Sequence, residues 1–335
     1  MTLPLPPFAQ PKSAERVYRV PYQQRAEEAR AWANALRLRP AAEDRRRRAL
    51  LLVDVQNTFC LPEFELFVAG RSGRGAVLDC TRIAELVYRQ LDRISQVIVT
   101  LDTHTAAQIF HPVFWLDAAG AHPAPHTVIT PADVEAGRWR VNPALAGPLS
   151  PYPHFDLAGW ALSYVRRLAE GGKYPLVVWP YHSMLGGIGH ALVSAVEEAV
   201  FFHAIARQAP TRVEVKGRNP LTESYSVLRA EIAEAADGSR IEPPNEALVD
   251  HLLSFDEVIV AGEAKSHCVA WTVEDLLNEA RARDPALARK LVLLDDCSSP
   301  VVVPGVADFS EQTEAAYARF AGLGARRARS TDPLE

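Results

Sequence analysis

The chain alternates short apolar runs with longer segments of helical periodicity, and this alternation restricts the possible folds more than any other feature. Six runs rich in valine, isoleucine and leucine are apolar on both faces, at residues 49–55, 96–101, 176–179, 212–215, 257–261 and 290–294. Strands of this composition are typical of a buried parallel sheet. Helical patterns separate several of them, near residues 77–91, 190–208, 245–254 and 267–283. The sequence therefore predicts an α/β fold in which helices cover both faces of a parallel sheet.

Three stretches depart from this alternation. Residues 1–44 are a predicted N-terminal extension that begins with a proline-rich arm, and residues 326–335 are a predicted C-terminal tail. Within the main domain, 45–325, residues 112–174 interrupt the rhythm with a proline-rich part and then a helical pattern near 155–170. We interpret 112–174 as an insertion folded over the strand ends. Packing and control of substrate entry are both open as its role.

The composition excludes several classes of function. The net charge is −5 at pH 7, whereas a nucleic-acid-binding surface needs an excess of lysine and arginine. No apolar run approaches the ~18 residues of a membrane span, and the first residues lack the apolar stretch of a signal peptide. Four scattered cysteines are too few for a disulfide framework. We therefore expect a cytoplasmic protein whose partner is a small molecule and not nucleic acid or a membrane.

Three reactive side chains stand at predicted strand ends: Asp54, Lys216 and Cys268. The cysteine also begins a predicted helix, for which Ser266 is the expected N-cap. A thiol in the first turn of a helix and near an ammonium group has a lowered pKa and is nucleophilic. Taken alone, each residue more often has a structural role: an aspartate at a strand end as a cap, a lysine after a strand as an exposed charge, and a cysteine that begins a helix as inert packing. Ligands gather at the carboxyl ends of parallel strands, however, and this favours a shared chemical role for the three.

A second set of side chains is of the kind that binds metals. Asp102 and His104 are two residues apart at the end of a predicted strand, so they project from the same side of an extended backbone. His182 follows the 176–179 run, and His111 lies a short loop beyond His104. Two imidazoles and a carboxylate leave open positions on a divalent metal, as catalytic sites do. The alternative is that these histidines only cap strands or bond backbone carbonyls.

The segments that carry these residues resemble the isochorismatase-like cysteine hydrolase superfamily. The sequence DVQNTF at 54–59 is similar to the superfamily motif D-x-Q-N-x-F, and 262–269 is similar to its nucleophile motif G-x-A-x-x-x-C-V. Its K-G motif is matched at 216–217, with S-Y-S downstream at 224–226. The resemblance extends from about residue 49 to residue 296. It implies a three-layer sandwich in which a central six-stranded parallel sheet is flanked by helices on both faces.

The resemblance also implies a catalytic site. The triad of the superfamily corresponds to Asp54, Lys216 and Cys268, and its oxyanion hole corresponds to the backbone N–H groups of Ala264 and Cys268. The family's cis peptide bond in this loop would be the one that joins Glu263 to Ala264. The charged residues Glu263 and Lys265 depart from the pattern of the family at this loop.

Within the superfamily, the metal motifs are similar to those of nicotinamidases. The D-x-H motif is matched at 102–104 and the W-P-x-H motif at 179–182, followed by a glycine-rich stretch. The resemblance implies one divalent metal ion (Zn, Fe or Mn) held by Asp102, His104, His182 and His111. It implies that four further side chains contact the substrate: Phe59, Trp179, Tyr225 and His267.

The activity implied by this resemblance is hydrolysis of nicotinamide, or of a similar small carboxamide, to the acid and ammonia through a cysteine thioester. Two alternatives stay open. One is another amide or ureido hydrolase of the superfamily, of the carbamoylsarcosine or ureidoacrylate type, and the other is a non-catalytic binding protein that has kept the fold. Relatives are often oligomers, so a homo-oligomer is also open to this chain.

Overall fold

The computed structural model of the protein describes residues 2–171, 173–235 and 237–334. The chain divides into two compact units. Unit 1 consists of Met1–Leu101, Ile188–Glu214 and Glu246–Glu335, and unit 2 consists of Asp102–Gly187 and Val215–Asn245. The insertion at 112–174 therefore lies wholly in unit 2.

Helices and strands alternate along the chain. The helices are α1 (Tyr22–Leu36), α2 (Asn57–Cys60), α3 (Gly75–Arg89), α4 (Pro131–Glu135), α5 (Leu157–Gly171), α6 (Ser194–Ala206), α7 (Glu246–Leu253), α8 (Ala270–Arg283) and α9 (Ser310–Gly322). The strands are β1 (Arg48–Val53), β2 (Gln96–Asp102), β3 (Trp115–Leu116), β4 (Val128–Ile129), β5 (Arg140–Val141), β6 (Leu176–Val177), β7 (Arg212–Lys216), β8 (Glu257–Gly262), β9 (Leu291–Leu294), β10 (Val302–Val303), β11 (Ala307–Asp308) and β12 (Arg326–Ala328). Among the described residues, none of these helices combines the length and the apolar character that crossing a membrane requires.

Six of the strands form one sheet, in the order β12-β9-β8-β1-β2-β7. Strand β1 lies inside it and pairs in parallel with β2 on one side and with β8 on the other. Leu50 and Leu52 of β1 belong to a core that also contains side chains of α3 and α6. Ala49 and Leu51 alternate to the opposite face and are equally inaccessible to solvent. Both faces of the sheet are therefore buried, which confirms the predicted α/β fold with a six-stranded parallel sheet.

One predicted strand of this sheet was wrong. The run at 176–179 forms only the short strand β6, which pairs antiparallel with β4 in unit 2. The sixth strand of the sheet is β12, which pairs with β9 and comes from the segment predicted as a tail. Its sequence, RRA, lacks an apolar signal because β12 lies at an edge of the sheet, where Arg326 and Arg327 reach the carboxylates of Glu257 and Asp295. An edge strand tolerates such charged side chains, whereas an inner strand does not.

The N-terminal extension belongs to unit 1, and its helix α1 packs against α6. Arg25 of α1 donates to the Glu198 carboxylate of α6 at 2.6 Å, and the Tyr18 hydroxyl donates to the same carboxylate at 2.8 Å. Ala14 and Ala29 are fully buried in the core that contains β1. The described part of the extension, residues 2–44, therefore contributes to the hydrophobic core of unit 1.

Unit 2 has a hydrophobic core of its own, which the insertion supplies in large part. Helix α5 buries Trp160 and Tyr164 against Phe114 and Trp115, which precede it in the insertion. The predicted helix near 155–170 is thus confirmed as α5. The insertion thus has a tightly packed aromatic core of its own.

Candidate active site

Three of the predicted metal ligands lie together in unit 2. Asp102 is the last residue of β2, and its Oδ2 lies 2.7 Å from His104 Nε2 and 3.6 Å from His182 Nε2. One ligand atom from each of the three residues can be chosen so that all lie within 4.8 Å of one another, and all three side chains are buried. Asp102 and His104 are adjacent because two steps along an extended backbone return to the same side. The structure thus brings these three residues together, and their role as metal ligands stays a prediction.

The position of His182 depends on a short backbone bridge between distant parts of the chain. The N–H of His104 donates to the carbonyl of Ser183 at 3.0 Å, and the N–H of Leu185 donates to the carbonyl of His104 at 3.0 Å. This parallel bridge fixes the loop that carries His182 beside the end of β2. Local sequence patterns do not reveal such a pairing.

The hydrogen bonds of two rings indicate which nitrogen faces the centre of the cluster. His104 Nδ1 lies 3.0 Å from the carbonyl oxygen of Gly217, and His182 Nδ1 lies 2.8 Å from that of Pro180. A carbonyl oxygen only accepts, so each Nδ1 carries a hydrogen and donates it to the carbonyl. Nε2 is therefore the ring nitrogen that faces the Asp102 carboxylate, at 2.7 Å for His104 and 3.6 Å for His182. This orientation of the ring by a bond to the other nitrogen is usual for metal-binding histidines.

His111 has the same arrangement but lies just outside the compact cluster. Its Nδ1 is 3.1 Å and 3.2 Å from the carbonyl oxygens of Thr105 and Ala106, and its ring centroid is 5.8 Å from those of His104 and His182. Its Nε2 is buried and has no hydrogen-bond partner among the described residues. Burial lowers the pKa of His111 to about 3, so the ring is neutral at pH 7. A buried, neutral and unbonded imidazole nitrogen is suited to a cation.

The two oxygens of Asp102 face different partners. Oδ1 accepts a hydrogen bond from Lys216 Nζ at 2.9 Å, while Oδ2 faces the imidazoles. Burial would raise the pKa of this carboxyl group, but His104 and Lys216 together hold it well below its ordinary value. Lys216 also donates to the carbonyl of Ser224 at 2.9 Å. The carboxylate is therefore ionised and held by its surroundings.

Gly217 is needed for this arrangement. Its φ is +74°, and a Cβ at this position would lie 2.6 Å from His104 Cε1 and 2.8 Å from Asp102 Oδ1. The glycine of the K-G motif thus allows the backbone to approach the cluster closely enough for its carbonyl to bond His104.

The donor set fits a divalent cation. The Nε2 atoms of two imidazoles converge on one oxygen of a buried carboxylate. A cation between Asp102, His104 and His182 would satisfy all three donors at once, with His111 adjacent. Two nitrogens and one oxygen are donors that Zn, Fe and Mn accept, and the incomplete shell leaves room for a further ligand.

The nucleophile candidate lies in unit 1, between β8 and α8. Cys268 belongs to a π-helical turn, Lys265–Val269, that leads directly into α8, and it is 8% exposed. Ser266 is not the N-cap that the sequence predicted, because it lies inside this turn. Its hydroxyl accepts from the N–H of Val301 at 3.0 Å. Turns of this kind are frequent at functional sites.

Asp54 leaves the sheet beside the segment that carries the cysteine. Val53 is paired with Gly262 across β1 and β8, and the N–H of Glu263 donates to the Val53 carbonyl at 2.8 Å. Asp54 follows with a φ of +47°, a conformation that non-glycine residues rarely adopt. Its N–H donates to the Thr100 hydroxyl at 3.0 Å, and this hydroxyl donates to its carboxylate. These contacts hold the Asp54 side chain at a defined angle.

The loop after β8 has the backbone that the resemblance implied. The peptide bond between Glu263 and Ala264 is cis. The charged side chains of the loop are paired within unit 1: Glu263 lies against Asp79, and Lys265 Nζ is 3.1 Å from Asp295 Oδ1. Burial, together with the charge of Asp79, raises the pKa of Glu263 well above its ordinary value. The departures from the family pattern are thus accommodated without exposing an unpaired charge.

The remaining predicted site residues occupy different surroundings. Phe59 of α2 belongs to the apolar core of unit 1, and His267 packs edge-on against Phe309 with ring centroids 5.0 Å apart. Trp179 and Tyr225 lie in unit 2. Contact of these four residues with a substrate stays a prediction, as do the meeting of Lys216 with Asp54 and Cys268 and the oxyanion hole at Ala264 and Cys268.

Sequence reasoning missed a buried carboxyl group beside two of the predicted substrate residues. Glu223 Oε1 accepts from the indole N–H of Trp179 at 2.6 Å, and the hydroxyl of Tyr225 interacts with the same carboxyl group. Burial raises the pKa of Glu223 to about 8. The only signal in the sequence was an acidic residue directly before the S-Y-S motif. An acidic residue is expected to be exposed to solvent, so this position alone did not predict burial.

Comparisons with known proteins address the fold. No protein-family model and no curated protein matches the chain. Among solved structures, a nicotinamidase and pyrazinamidase of Acinetobacter baumanii is 19% identical, with 87% of this chain and 99% of that chain covered and a TM-score of 0.50. The yeast nicotinamidase Pnc1p, bound to the inhibitor nicotinaldehyde, is 17% identical, with 84% and 99% covered and a TM-score of 0.51. The chain has the fold of these nicotinamidases.

Proposed function

We propose, from the fold that it shares with nicotinamidases, that this chain is a metal-dependent cysteine amidohydrolase. Its substrate would be nicotinamide or a similar small carboxamide, and its products the acid and ammonia. The observation that carries the proposal is the cluster of Asp102, His104 and His182, in which each imidazole is held by a carbonyl and turned toward one carboxylate oxygen. A binding protein that merely kept the fold would have no need of so ordered a donor set.

The proposed chemistry is acyl transfer through a thioester. Asp54 accepts the thiol proton of Cys268, and the thiolate attacks the amide carbon. Backbone N–H groups of Ala264 and Cys268 hold the oxyanion, each worth about 3–4 kcal/mol in comparable sites. The C–N bond breaks as the proton on Asp54 passes to the departing ammonia. Water then hydrolyses the thioester, which releases the acid and restores the thiol.

Lys216 would act on both the metal ligand Asp102 and the proposed nucleophile Cys268. Its ammonium group stabilises the ionised form of Asp102, and in the proposed active arrangement it also favours the charged forms of Cys268 and Asp54. Its bond to the Ser224 carbonyl limits the positions that the ammonium can reach. One fixed cation would thus serve a metal ligand and the nucleophile.

Asp102, His104 and His182 would hold the metal, with His111 as a fourth ligand or a close neighbour. When bound, a Zn, Fe or Mn ion would supply a coordination site for a ring nitrogen or a water molecule and so orient the amide. The chain's own contribution is the rigid placement of these donors, because each ring is anchored through Nδ1.

Release of ammonia tests the proposal directly. The panel consists of nicotinamide, pyrazinamide, carbamoylsarcosine and ureidoacrylate, each with and without a chelator. We expect turnover of an aromatic carboxamide that the chelator abolishes. Turnover of only the ureido compounds, unaffected by chelation, would replace the proposal with the alternative hydrolase, and release from none of the four would count against an amidohydrolase.

A pair of cysteine variants identifies the nucleophile. Cys268→Ala should abolish turnover yet still bind substrate, because the ring contacts do not involve the thiol. Cys297→Ala is the matched control, since Cys297 is also buried in unit 1 but has no role in the proposal. Nicotinaldehyde, which binds the yeast nicotinamidase, should inhibit the parent protein. An active Cys268→Ala variant would contradict the mechanism.

A further inference from the structure

The insertion holds one short segment of unit 2, residues 221–225, from two adjacent turns of α5. The indole N–H of Trp160 donates to the carbonyl of Leu221 at 2.9 Å, and the N–H of Glu223 donates to the hydroxyl of Tyr164 at 2.9 Å. Trp160 and Tyr164 are four residues apart, so they lie on the same face of the helix. Both are buried. The insertion therefore fixes the backbone at residues 221 and 223 through one hydrogen bond from the Trp160 indole and one to the Tyr164 hydroxyl.

The same segment also contacts residues of the candidate active site. The carboxyl group of Glu223 accepts from the Trp179 indole, and the carbonyl of Ser224 accepts from Lys216 Nζ. The hydroxyl of Tyr225 interacts with the Glu223 carboxyl group as well. The segment 221–225 thus connects the insertion with two of the predicted substrate residues and with the proposed catalytic lysine.

The bond from the Trp179 indole defines the plane of that ring. The backbone N–H of Trp179 donates to the carbonyl of Phe110 at 2.8 Å, which fixes the main chain but leaves the side-chain torsions free. The indole N–H has one donor direction, in the ring plane, so a bond of 2.6 Å to Glu223 fixes those torsions. Without this acceptor, the N–H would be left unsatisfied in a partly buried position or would turn toward water.

The Glu223 carboxyl group is itself in an unusual position for an acid. It is buried, and a second acidic side chain, Glu231, lies near it. The Oε2 atom of Glu231 lies 3.2 Å from Nζ of Lys173, a residue of the insertion. The backbone N–H of Glu231 donates to the Glu223 carbonyl at 2.8 Å. A buried acid is retained at a cost unless its bonds serve a purpose. A leucine would be less costly at 223 if apolar packing were the only need.

We propose that Glu223 is a positioning residue that orients the Trp179 indole as one wall of the substrate pocket, and that the insertion acts through Tyr164 to hold Glu223 in place. The ligand class is a flat aromatic ring, because an indole of fixed plane recognises a ring by stacking. The proposal rests on the proposed function in one respect, namely that Trp179 contacts the substrate. It assigns to the insertion a role in substrate affinity, and not in the acyl-transfer step.

Steady-state kinetics with nicotinamide separate these roles. Glu223→Leu removes the acceptor, so KM should rise by about tenfold or more while kcat changes by less than about threefold. Glu223→Gln keeps a carbonyl oxygen for the indole N–H and should restore KM to within about threefold of the parent value. Glu234→Leu, an exposed glutamate of the same unit, is the control and should leave KM unchanged. An unchanged KM in Glu223→Leu, or a Glu223→Gln variant as impaired as Glu223→Leu, would overturn the proposal.

A second variant, Tyr164→Phe, tests the role of the insertion. Tyr164→Phe removes only the oxygen that accepts the Glu223 N–H, and it should raise KM by a few fold with the metal content unchanged. If Glu223→Leu does not fold, this variant decides the question, and an unaltered KM would refute the role of the insertion.

Calorimetric titration of nicotinamide into Cys268→Ala, with and without Glu223→Leu, measures ring affinity independently of turnover. Ring binding that weakens about tenfold in a protein without amidase activity would support the proposal while the proposed function fails. Absence of ring binding in both proteins would defeat both.

Discussion

Replacing Glu223 by glutamine should make the stability of unit 2 less sensitive to pH. The Glu223 carboxyl group has a pKa of about 8 in the folded protein, raised by burial first and by Glu231 second, against an ordinary value of 4.5. Above pH 4.5 the unfolded chain releases this proton, while the folded protein keeps it. The stabilising contribution of the neutral folded group is therefore complete below pH 4.5 and is lost as the pH rises toward 8.

The size of the effect follows from the two pKa values. With 4.5 for the unfolded chain and about 8 for the folded protein, this group alone should lower the free energy of unfolding by about 3–4 kcal/mol between pH 5 and pH 8. Glutamine does not titrate, so Glu223→Gln should lack this loss. Relative to the parent, the variant should therefore gain about 3–4 kcal/mol when the pH is raised from 5 to 8.

Urea unfolding of the chelator-treated protein at the two pH values measures this gain. Four of the six tryptophans, at 115, 139, 160 and 179, lie in unit 2, so indole fluorescence follows the unfolding of that unit. Comparing the parent with the variant at each pH cancels the titrating groups that do not interact with residue 223. Glu234→Gln, at an exposed position of unit 2, is the control, and its difference in unfolding free energy from the parent should be the same at both pH values. An equal stability difference between parent and Glu223→Gln at pH 5 and pH 8 would refute the reasoning.

Two further predictions concern the metal cluster, and both are checked by elemental analysis and by metal affinity. His104→Ala should reduce the bound metal from about one ion per chain to a small fraction of that, because it removes one of three close donors. His122→Ala should retain the metal, because the His122 ring bonds the Trp115 carbonyl and is not one of these donors. Gly217→Ala should weaken metal binding by about tenfold or more, because the new Cβ would meet His104 Cε1 at 2.6 Å, whereas Gly147→Ala meets nothing within 4 Å and should bind normally. Full metal content and affinity in Gly217→Ala would show that the cluster tolerates a displaced His104.

Much of the site was accessible from short-range patterns. The alternation of strand residues places Asp102 and His104 on one side of an extended backbone, and the structure finds their side chains 2.7 Å apart. The expected helix at 155–170 has a single apolar face, and it forms α5. Such predictions succeed because the physical cause, the period of the backbone, acts within a few residues.

The errors have the opposite origin. The run at 176–179 is as apolar as a sheet strand, but its hydrogen-bonding partner is β4 in unit 2. The true edge strand β12 carries two arginines, which its position at the edge of the sheet allows. Ser266 has the composition of an N-cap, yet the chain forms a π-helical turn around it. In each case the structure depended on a partner that the local residues do not specify.

The order of residues was enough to identify the chemically active side chains and the strands that present them, since both are properties of neighbouring positions. Only the tertiary structure determined which groups surround each of these side chains. Lys216 meets Asp102 across 114 positions of sequence, and Trp179 meets Glu223 across 44. Solvation and charge depend on everything within a few ångströms, from whichever part of the chain it comes. For that reason the ionised Asp102 and the protonated Glu223, both of them acids in the sequence, became distinguishable only in three dimensions.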